Sequence, residues 1–351
     1  MRTNGPIQWK IVRGAQRRSF DCWKKYIGLS TLAGAVFFIL RQSSLGQQDR
    51  KLHESNHERV AIVFYGSPRS LQWTISSIKQ QIIDPLQRHD IGFELFLHSY
   101  IHQEGYFNKR SNENETRLNN SEWKLLKPSA FKLEYLSEVQ KKYEVLFERL
   151  KVYGDSWKDD FESLHRYILG SHSLKQATKL VVDSIFTSNI NYGGMLIIRP
   201  DLRYLDEIDV NLLSFAMHKK AVVLPSWGWD TRLGGGGFND RFSYGDISAM
   251  ILLGNRLDVF LTYCEDSKRS FHSEPFVYWF FILEGYKKAL PSFSQHMNHI
   301  QVLCTDQRAV RVRVNAVEAK EDFSPVQNFC QRTGNGFYNL KRKWFSNSGY
   351  R

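Results

Sequence analysis

The stretch Gly193-Gly194-Met195-Leu196-Ile197-Ile198-Arg199-Pro200-Asp201-Leu202 constrains the fold more than any other part of the chain. A glycine turn feeds four apolar residues of strand-forming type, and the run stops abruptly at an Arg-Pro-Asp triplet. Such a run describes a short, fully buried strand. Pro200 has no N–H to give to a ladder and marks where pairing ends. In an open α/β sheet, ligands bind beyond the carboxyl ends of the strands, which is where Arg199 and Asp201 fall. A cation and a carboxylate at that place suit a phosphate and a divalent metal, whereas an ordinary strand end with a surface ion pair is the plain alternative.

Composition allows a sizeable core in a chain of 351 residues. The formal net charge of +12 looks at first like a nucleic-acid signal. However, Arg2, Lys10, Arg13, Arg17, Arg18, Lys24 and Lys25 stand against Asp21 alone in the first 25 residues, so half of that charge belongs to a short tail. The moderate excess left over serves an anionic lipid, a nucleotide diphosphate or an acidic glycan equally well, and nucleic acid is not expected as a partner. Tyr26 to Leu40 are fifteen uncharged, mostly apolar residues closed by Arg41. With its positive flank amino-terminal, this segment reads as a signal anchor of type II topology, short for a span but helped by snorkelling at Lys25 and Arg41. A cleaved signal peptide is the alternative. The expected organisation is therefore a basic cytosolic tail (1–25), a transmembrane anchor (26–40), a stem (41–58) and one α/β domain (59–351) in the lumen of the Golgi or ER. Two sequons, Asn114-Glu115-Thr116 and Asn119-Asn120-Ser121, fit that compartment. Cys264, Cys304 and Cys330 permit at most one internal disulfide, and no CxxC pair offers a metal site.

The domain is expected to open with a buried strand at Val60 to Tyr65, the tight loop Gly66-Ser67-Pro68-Arg69-Ser70, and a helix with Ser70 as N-cap. Strand, glycine loop and helix form the start of a nucleotide-binding α/β unit. A second strand follows at Phe93 to Tyr100, then a hydrophilic insertion from Gly105 to Ser121 that reads as a long loop. Residues 131–153 suggest a helix, and the apolar stripes between Phe161 and Ile185 suggest one broken helix or two in succession, leading by a right-handed crossover to the central strand. Ala221 to Pro225 is another short strand ended by proline. Trp227, Trp229, Phe238 and Phe242 surround the four glycines Gly234 to Gly237, and aromatic rings beside such a loop can stack on a sugar or base. Asp246 should cap the next helix, Ser273-Glu274-Pro275 should open a further one stopped by Gly285, and Val310 to Val314 alternates as a late strand.

YGSPRS after the first strand, MLIIRPDLRY, VVLPSW and GGFNDRFSYGD resemble, in that order, GT-A-type glycosyltransferases whose metal motif is reduced to Arg-x-Asp, such as bacterial lipopolysaccharide-synthesis transferases and their algal and plant relatives. The resemblance implies a single Rossmann-like domain with a mostly parallel central sheet, and transfer of a sugar from a nucleotide-sugar donor to a glycan, lipid or protein acceptor. It places Asp201 where the final acid of Asp-x-Asp would hold Mn²⁺ or Mg²⁺ on the donor diphosphate. Arg199 stands where the first acid would be, and a guanidinium there is itself able to clamp the diphosphate. Tyr65, Gly66 and Arg69 would line the nucleotide pocket, and Asn239 and Arg241 would face the sugar or acceptor. Asp240 and Glu274 are the candidates for the base that an inverting transfer needs, with helix-dipole stabilisation as the plain reading of Glu274. Two rivals remain open. The YGSPRS loop is similar to the phosphate loop of sulfotransferases, although Leu71-Gln72 replaces the usual Gly-Thr, and a non-catalytic lumenal scaffold would also tolerate loss of the first metal acid.

Overall fold

The structure, a computed structural model, describes residues 59–108, 113–188, 190–228, 237–289, 300–323, 330–332 and 338–340. The tail, the anchor at 26–40 and the stem up to residue 58 lie outside the described residues. Among the described residues no single helix is long and apolar enough to cross a membrane.

Strands β1 (Arg59–Tyr65) and β2 (Gly92–Ile101) are followed by a small hairpin, β3 (Tyr106–Asn108) with β4 (Glu113–Thr116), and by β5 (Ala130–Tyr135). Then come β6 (Gly194–Ile198), β7 (Leu202–Tyr204), β8 (Ala221–Pro225) and β9 (Ser243–Asp246). The last strands are β10 (Gln301–Thr305), β11 (Ala309–Arg311), β12 (Cys330–Arg332) and β13 (Tyr338–Leu340). Nine of them form one sheet in the order β12-β13-β10-β8-β9-β6-β1-β2-β5. β5, β2, β1 and β6 pair in parallel, as do β8 and β10, while β9 runs against its neighbours β6 and β8. The chain is thus α/β with a mostly parallel central sheet, as expected from its buried apolar runs.

The centre of that sheet is dry. Val60 to Phe64 have no exposed surface, and Met195 to Ile198 have almost none. Each such aliphatic side chain contributes about 1.5–3 kcal/mol of transfer free energy. Val60, Ile62 and Phe64 pack on one face with Leu71, Ile78, Ile82 and Leu86 from the helical segment Leu71–Arg88. The alternate residues Ala61, Val63 and Tyr65 point to the other face, where the long helix Glu162–Ser188 packs against β1 and β2. The connection leaving β1 goes outward to β2, and the crossover through Glu162–Ser188 returns to β6 on the other side of β1. The boundary between β1 and β6 is therefore the switch point of the sheet, where a crevice opens beyond the strand ends.

Several expectations require correction. Ser70 does not cap the helix that follows: its hydroxyl donates to the Val312 carbonyl at 2.8 Å, and Glu122 instead accepts from the Gln72 N–H at 2.6 Å. The segment 131–153 is not all helix, because its first residues form the edge strand β5 before the helix Leu136–Lys151 begins. Residues 162–188 form one continuous helix. The insertion Gly105 to Ser121 contains the β3/β4 hairpin. Gly285 stops nothing and instead begins a short helix, after Glu284 turns the chain with φ of +53°. Trp227, Phe238 and Phe242 are core residues, each 3% exposed or less, so none of them stacks on a ligand, and Trp229 lies outside the described residues. Cys304 is disulfide-bonded and Cys264 is a free, buried thiol, which fits a single bridge.

The end of β9 supplies two tests. A Cβ on Gly245, whose φ is +153°, would meet the Ala221 carbonyl oxygen at 2.2 Å, backbone that cannot move aside. Gly245→Ala is expected to cost about 3 kcal/mol or more, read as a lower urea midpoint. Asp246 caps the helix Ile247–Gly254 by accepting from the Ser248 and Ala249 N–H groups, and burial, outweighing these bonds and Lys220, pushes its carboxyl up to about 6. The native state therefore keeps a proton that the unfolded chain releases near its ordinary value of about 3.9, and this contribution to stability is present at low pH and lost as pH rises through about 6. Asp246→Asn, which keeps the accepting oxygen, should gain on the parent by up to about 3 kcal/mol between pH 4 and 7. Thermal melts across that range check this, and a pH-independent difference would contradict it.

Candidate functional site

β1 and β6 end side by side, Phe64 opposite Ile198, so Tyr65 and Arg199 leave the sheet at the same level. Gly66 then turns the chain with φ of +91°, and its N–H donates to Ser173 Oγ at 2.7 Å, tying the loop to the helix Glu162–Ser188. On the β6 side, Thr74 donates to the Pro200 carbonyl at 2.6 Å and the Val312 N–H donates to the Asp201 carbonyl at 2.8 Å. Both post-strand loops are thus fixed by hydrogen bonds from elsewhere in the domain, which pre-positions the side chains they carry.

The core of the site is the Asp201 carboxylate, 4% exposed. Arg199 grips it with two bonds, Nε to Oδ1 at 2.9 Å and Nη2 to Oδ2 at 2.7 Å. Arg69 adds Nη2 to Oδ2 at 3.1 Å. Burial alone would raise the Asp201 pKa, but the guanidinium groups of Arg199 and then Arg69 hold it well below the carboxylate range. Arg69 is itself held from behind by Glu113 at 3.3 Å and by the Tyr106 hydroxyl. Arg199 keeps a free edge, since the fork to Asp201 uses Nε and Nη2 and its side chain is 29% exposed. Arg311 stands beside this pair on β11, opposite Leu202, and is driven down to about 10 by burial and by Arg241 and Arg199. Glu321 spaces Arg311 and Arg241, at 3.4 Å and 2.7 Å. The result is a cluster of cations, part of it turned outward, at a position suited to a polyanion.

Of the residues expected at the site, Tyr65, Arg69, Arg199, Asp201, Asp240 and Arg241 are brought together. Asp240 and Asp201 both bear on the buried Tyr65 hydroxyl, whose pKa burial raises and Arg256 and Arg199 oppose. Asp240 lies 4.0 Å from the Arg256 guanidinium and remains partly accessible. Asn239 is not free to meet a sugar: its amide donates to the Trp227 carbonyl and accepts from the Arg241 N–H, both at 2.9 Å, so it shapes the loop. Glu274 sits in the first turn of the helix Ser273–Phe281, accepts from Ser273 Oγ at 2.5 Å and lies 2.8 Å from His272 Nδ1. Its pKa is lowered, because these partners outweigh the opposite effect of burial, which leaves it a poor base.

The sequence did not disclose Arg256, Tyr167 or Arg311. Arg256 is 4% exposed and lies over the Tyr167 ring at 5.3 Å. Its signal was an arginine among Ile251, Leu252, Leu253, Leu257, Val259 and Phe260, in a segment that also carries Asn255 and Asp258, and an arginine buried there needs a partner.

The donor set does not fit Mn²⁺ or Mg²⁺. A hard dication wants several oxygens, yet both oxygens of Asp201 are occupied by guanidinium nitrogens, and no trio of His, Cys or acidic ligands gathers there among the described residues. Arg199, Arg69 and Arg311 would also repel the ion.

No protein-family profile matches this chain, and no curated protein matches it. Among solved structures it is similar to the apo form of mouse xyloside xylosyltransferase 1, with 11% identity and a TM-score of 0.34 over 70% of this chain and 84% of that one.

Neutralising Asp201 should leave Arg199 without its counter-charge and Arg69 with Glu113 alone. Asp201→Asn is expected to cost about 3–5 kcal/mol, measured as a shift in urea midpoint at constant slope, and a loss below about 1 kcal/mol would mean that the pair is solvated.

Proposed function

We propose that this chain is a glycosyltransferase that binds the diphosphate of a nucleotide-sugar donor with arginine side chains. The observation that carries this reading is the guanidinium-gripped Asp201 at the switch point of the sheet, with the outward edge of Arg199, the exposed part of Arg311 and Asp240 around it. In this reading Asp201 orients Arg199 and touches no ligand.

The chemistry follows from charge. The anomeric C–O bond to the diphosphate breaks while a bond to an acceptor hydroxyl oxygen forms, and negative charge builds on the leaving diphosphate. Arg199 and Arg311 neutralise that charge from positions already set, so no reorganisation is needed when the bond breaks. Asp240, the less engaged of the two candidate carboxylates, takes the acceptor proton. Sequence topology adds the proposal that the acceptor is a glycan, lipid or protein met on the lumenal side of a Golgi or ER membrane. The sulfotransferase alternative is disfavoured by two donors already spent: the Gly66 N–H goes to Ser173 and the Gln72 N–H goes to Glu122. A phosphate cradle at that loop would need them.

Thermal stabilisation across a panel of nucleotide sugars, set against adenosine 3′,5′-bisphosphate, tests the donor class. Stabilisation by a nucleotide sugar is expected, and a response to the bisphosphate alone would favour sulfate transfer. Arg199→Lys, which loses the planar fork, should weaken donor binding about tenfold or more. Asp240→Asn should reduce transfer by about 10²- to 10⁴-fold with donor binding retained, and unchanged turnover would remove Asp240 as the base.

A further inference from the structure

On the β2/β5 half of the sheet, away from the arginine cluster, three side chains from three elements converge. His98 comes from β2, Glu134 from the edge strand β5 and His172 from the helix Glu162–Ser188. Both imidazoles aim Nε2 at the same oxygen, Glu134 Oε2, each at 2.8 Å. The three ligand atoms lie within 4.8 Å of one another. The histidine side chains are fully buried while Glu134 keeps 22% exposure, which leaves a way in from solvent on one side.

The outer nitrogens are supported as well. His98 Nδ1 lies 2.8 Å from Ser173 Oγ, and His172 Nδ1 lies 2.9 Å from the Tyr143 hydroxyl. Lys132 holds the remaining carboxylate oxygen, Oε1, at 3.1 Å. This is the arrangement that fixes metal-ligating histidines, whose second ring nitrogen is oriented by a neighbouring hydrogen-bond partner.

We propose that His98, Glu134 and His172 bind one Zn²⁺ ion, with water in the fourth position on the open side of Glu134. Two imidazoles and one carboxylate are a donor set that zinc accepts, at metal–ligand distances near 2.0–2.2 Å. The protons can be redistributed without orphaning a buried group. With the ion on both Nε2 atoms, the ring protons sit on Nδ1. His98 then donates to Ser173 Oγ, whose own proton goes to the His98 carbonyl at 3.0 Å, and His172 donates to Tyr143. Ser173 Oγ continues to accept from the Gly66 N–H at 2.7 Å, so the ion buttresses the loop that leads to the arginine cluster. The proposal does not depend on the reaction proposed above, since none of the three ligands belongs to that site.

The test uses the tag-free full-length protein in detergent, stripped with chelator and then dialysed against ZnCl₂. Metal analysis should find one zinc per chain, and the melting temperature should rise by about 2 °C or more over the stripped form at saturating zinc. His98→Gln with His172→Gln retains amide donors toward Glu134 and should lose both the zinc and the rise. Zinc content near zero in the parent, or equal content in parent and double variant, would overturn the proposal. Should the variant not fold, Co²⁺ added to the stripped parent protein decides: the visible d–d absorption of a four-coordinate site supports it, and only the spectrum of the hydrated ion overturns it.

Discussion

A single carboxylate held between two guanidinium groups organises the carboxyl end of the central strands. Asp201 is buried, and an ionised carboxylate there is tolerable only because Arg199 and Arg69 meet it with three charge-assisted hydrogen bonds. The pairing has a geometric consequence. Arg69 belongs to the loop after β1 and Arg199 follows β6, so the ion triad joins the two loops that the parallel register of β1 and β6 places side by side. Removal of Asp201 would leave Arg199 without its partner, and removal of either arginine would leave Asp201 with one cation in place of two, which makes the triad a structural device before it is a chemical one. In the proposed reading, what it offers to a ligand is the unused edge of Arg199, aimed by the fork that Asp201 imposes.

The surrounding scaffold explains why this carboxylate and these cations can be held so tightly. The strands beneath them are dry on both faces, and packed interiors do not yield easily to strain. Tyr65, Tyr167 and Arg256 form a second layer, in which a buried guanidinium lies against an aromatic ring and near Asp240. Charges of alternating sign thus run from Glu113 through Arg69, Asp201 and Arg199, and again from Arg311 through Glu321 to Arg241. Such an array places positive charge outward while satisfying it inward, a suitable state for receiving a polyanion without large rearrangement.

Three of the strands that were legible in the sequence share one property, burial on both faces. Val60 to Tyr65, Met195 to Ile198 and Ala221 to Pro225 are continuous apolar runs, and each is a strand in the sheet. β5 escaped because it is an edge strand with Phe131 half exposed and lysine and glutamate interspersed, so its pattern merges with that of the helix after it. β9 escaped because Ser243–Asp246 is four residues long and polar in part, and only pairing with β6 and β8 makes it a strand. At the site, Arg199 and Asp201 were legible because proline separates them at a strand end, and Arg69 because it lies in a tight loop. Arg311 and Arg256 come from more than fifty residues farther along and carry no local signal of where they pack. Nor did the loop aromatics declare themselves: Trp227, Phe238 and Phe242 resembled a stacking platform, but the sheet needed them as core. The convergence of His98, Glu134 and His172 depends on a crossover and a cross-strand diagonal, which no spacing in the chain encodes.

The arginine reading of the site differs from a metal-bridged one in a quantity that can be measured directly. Calorimetric titration of a panel of nucleoside diphosphates into the protein, first in EDTA and then in Mn²⁺, compares the two. If Arg199 and Arg311 hold the diphosphate, the preferred nucleotide binds in EDTA with an affinity within a fewfold of that in Mn²⁺, and binding weakens as salt is raised. Binding that appears only when Mn²⁺ is present would contradict the arginine clamp.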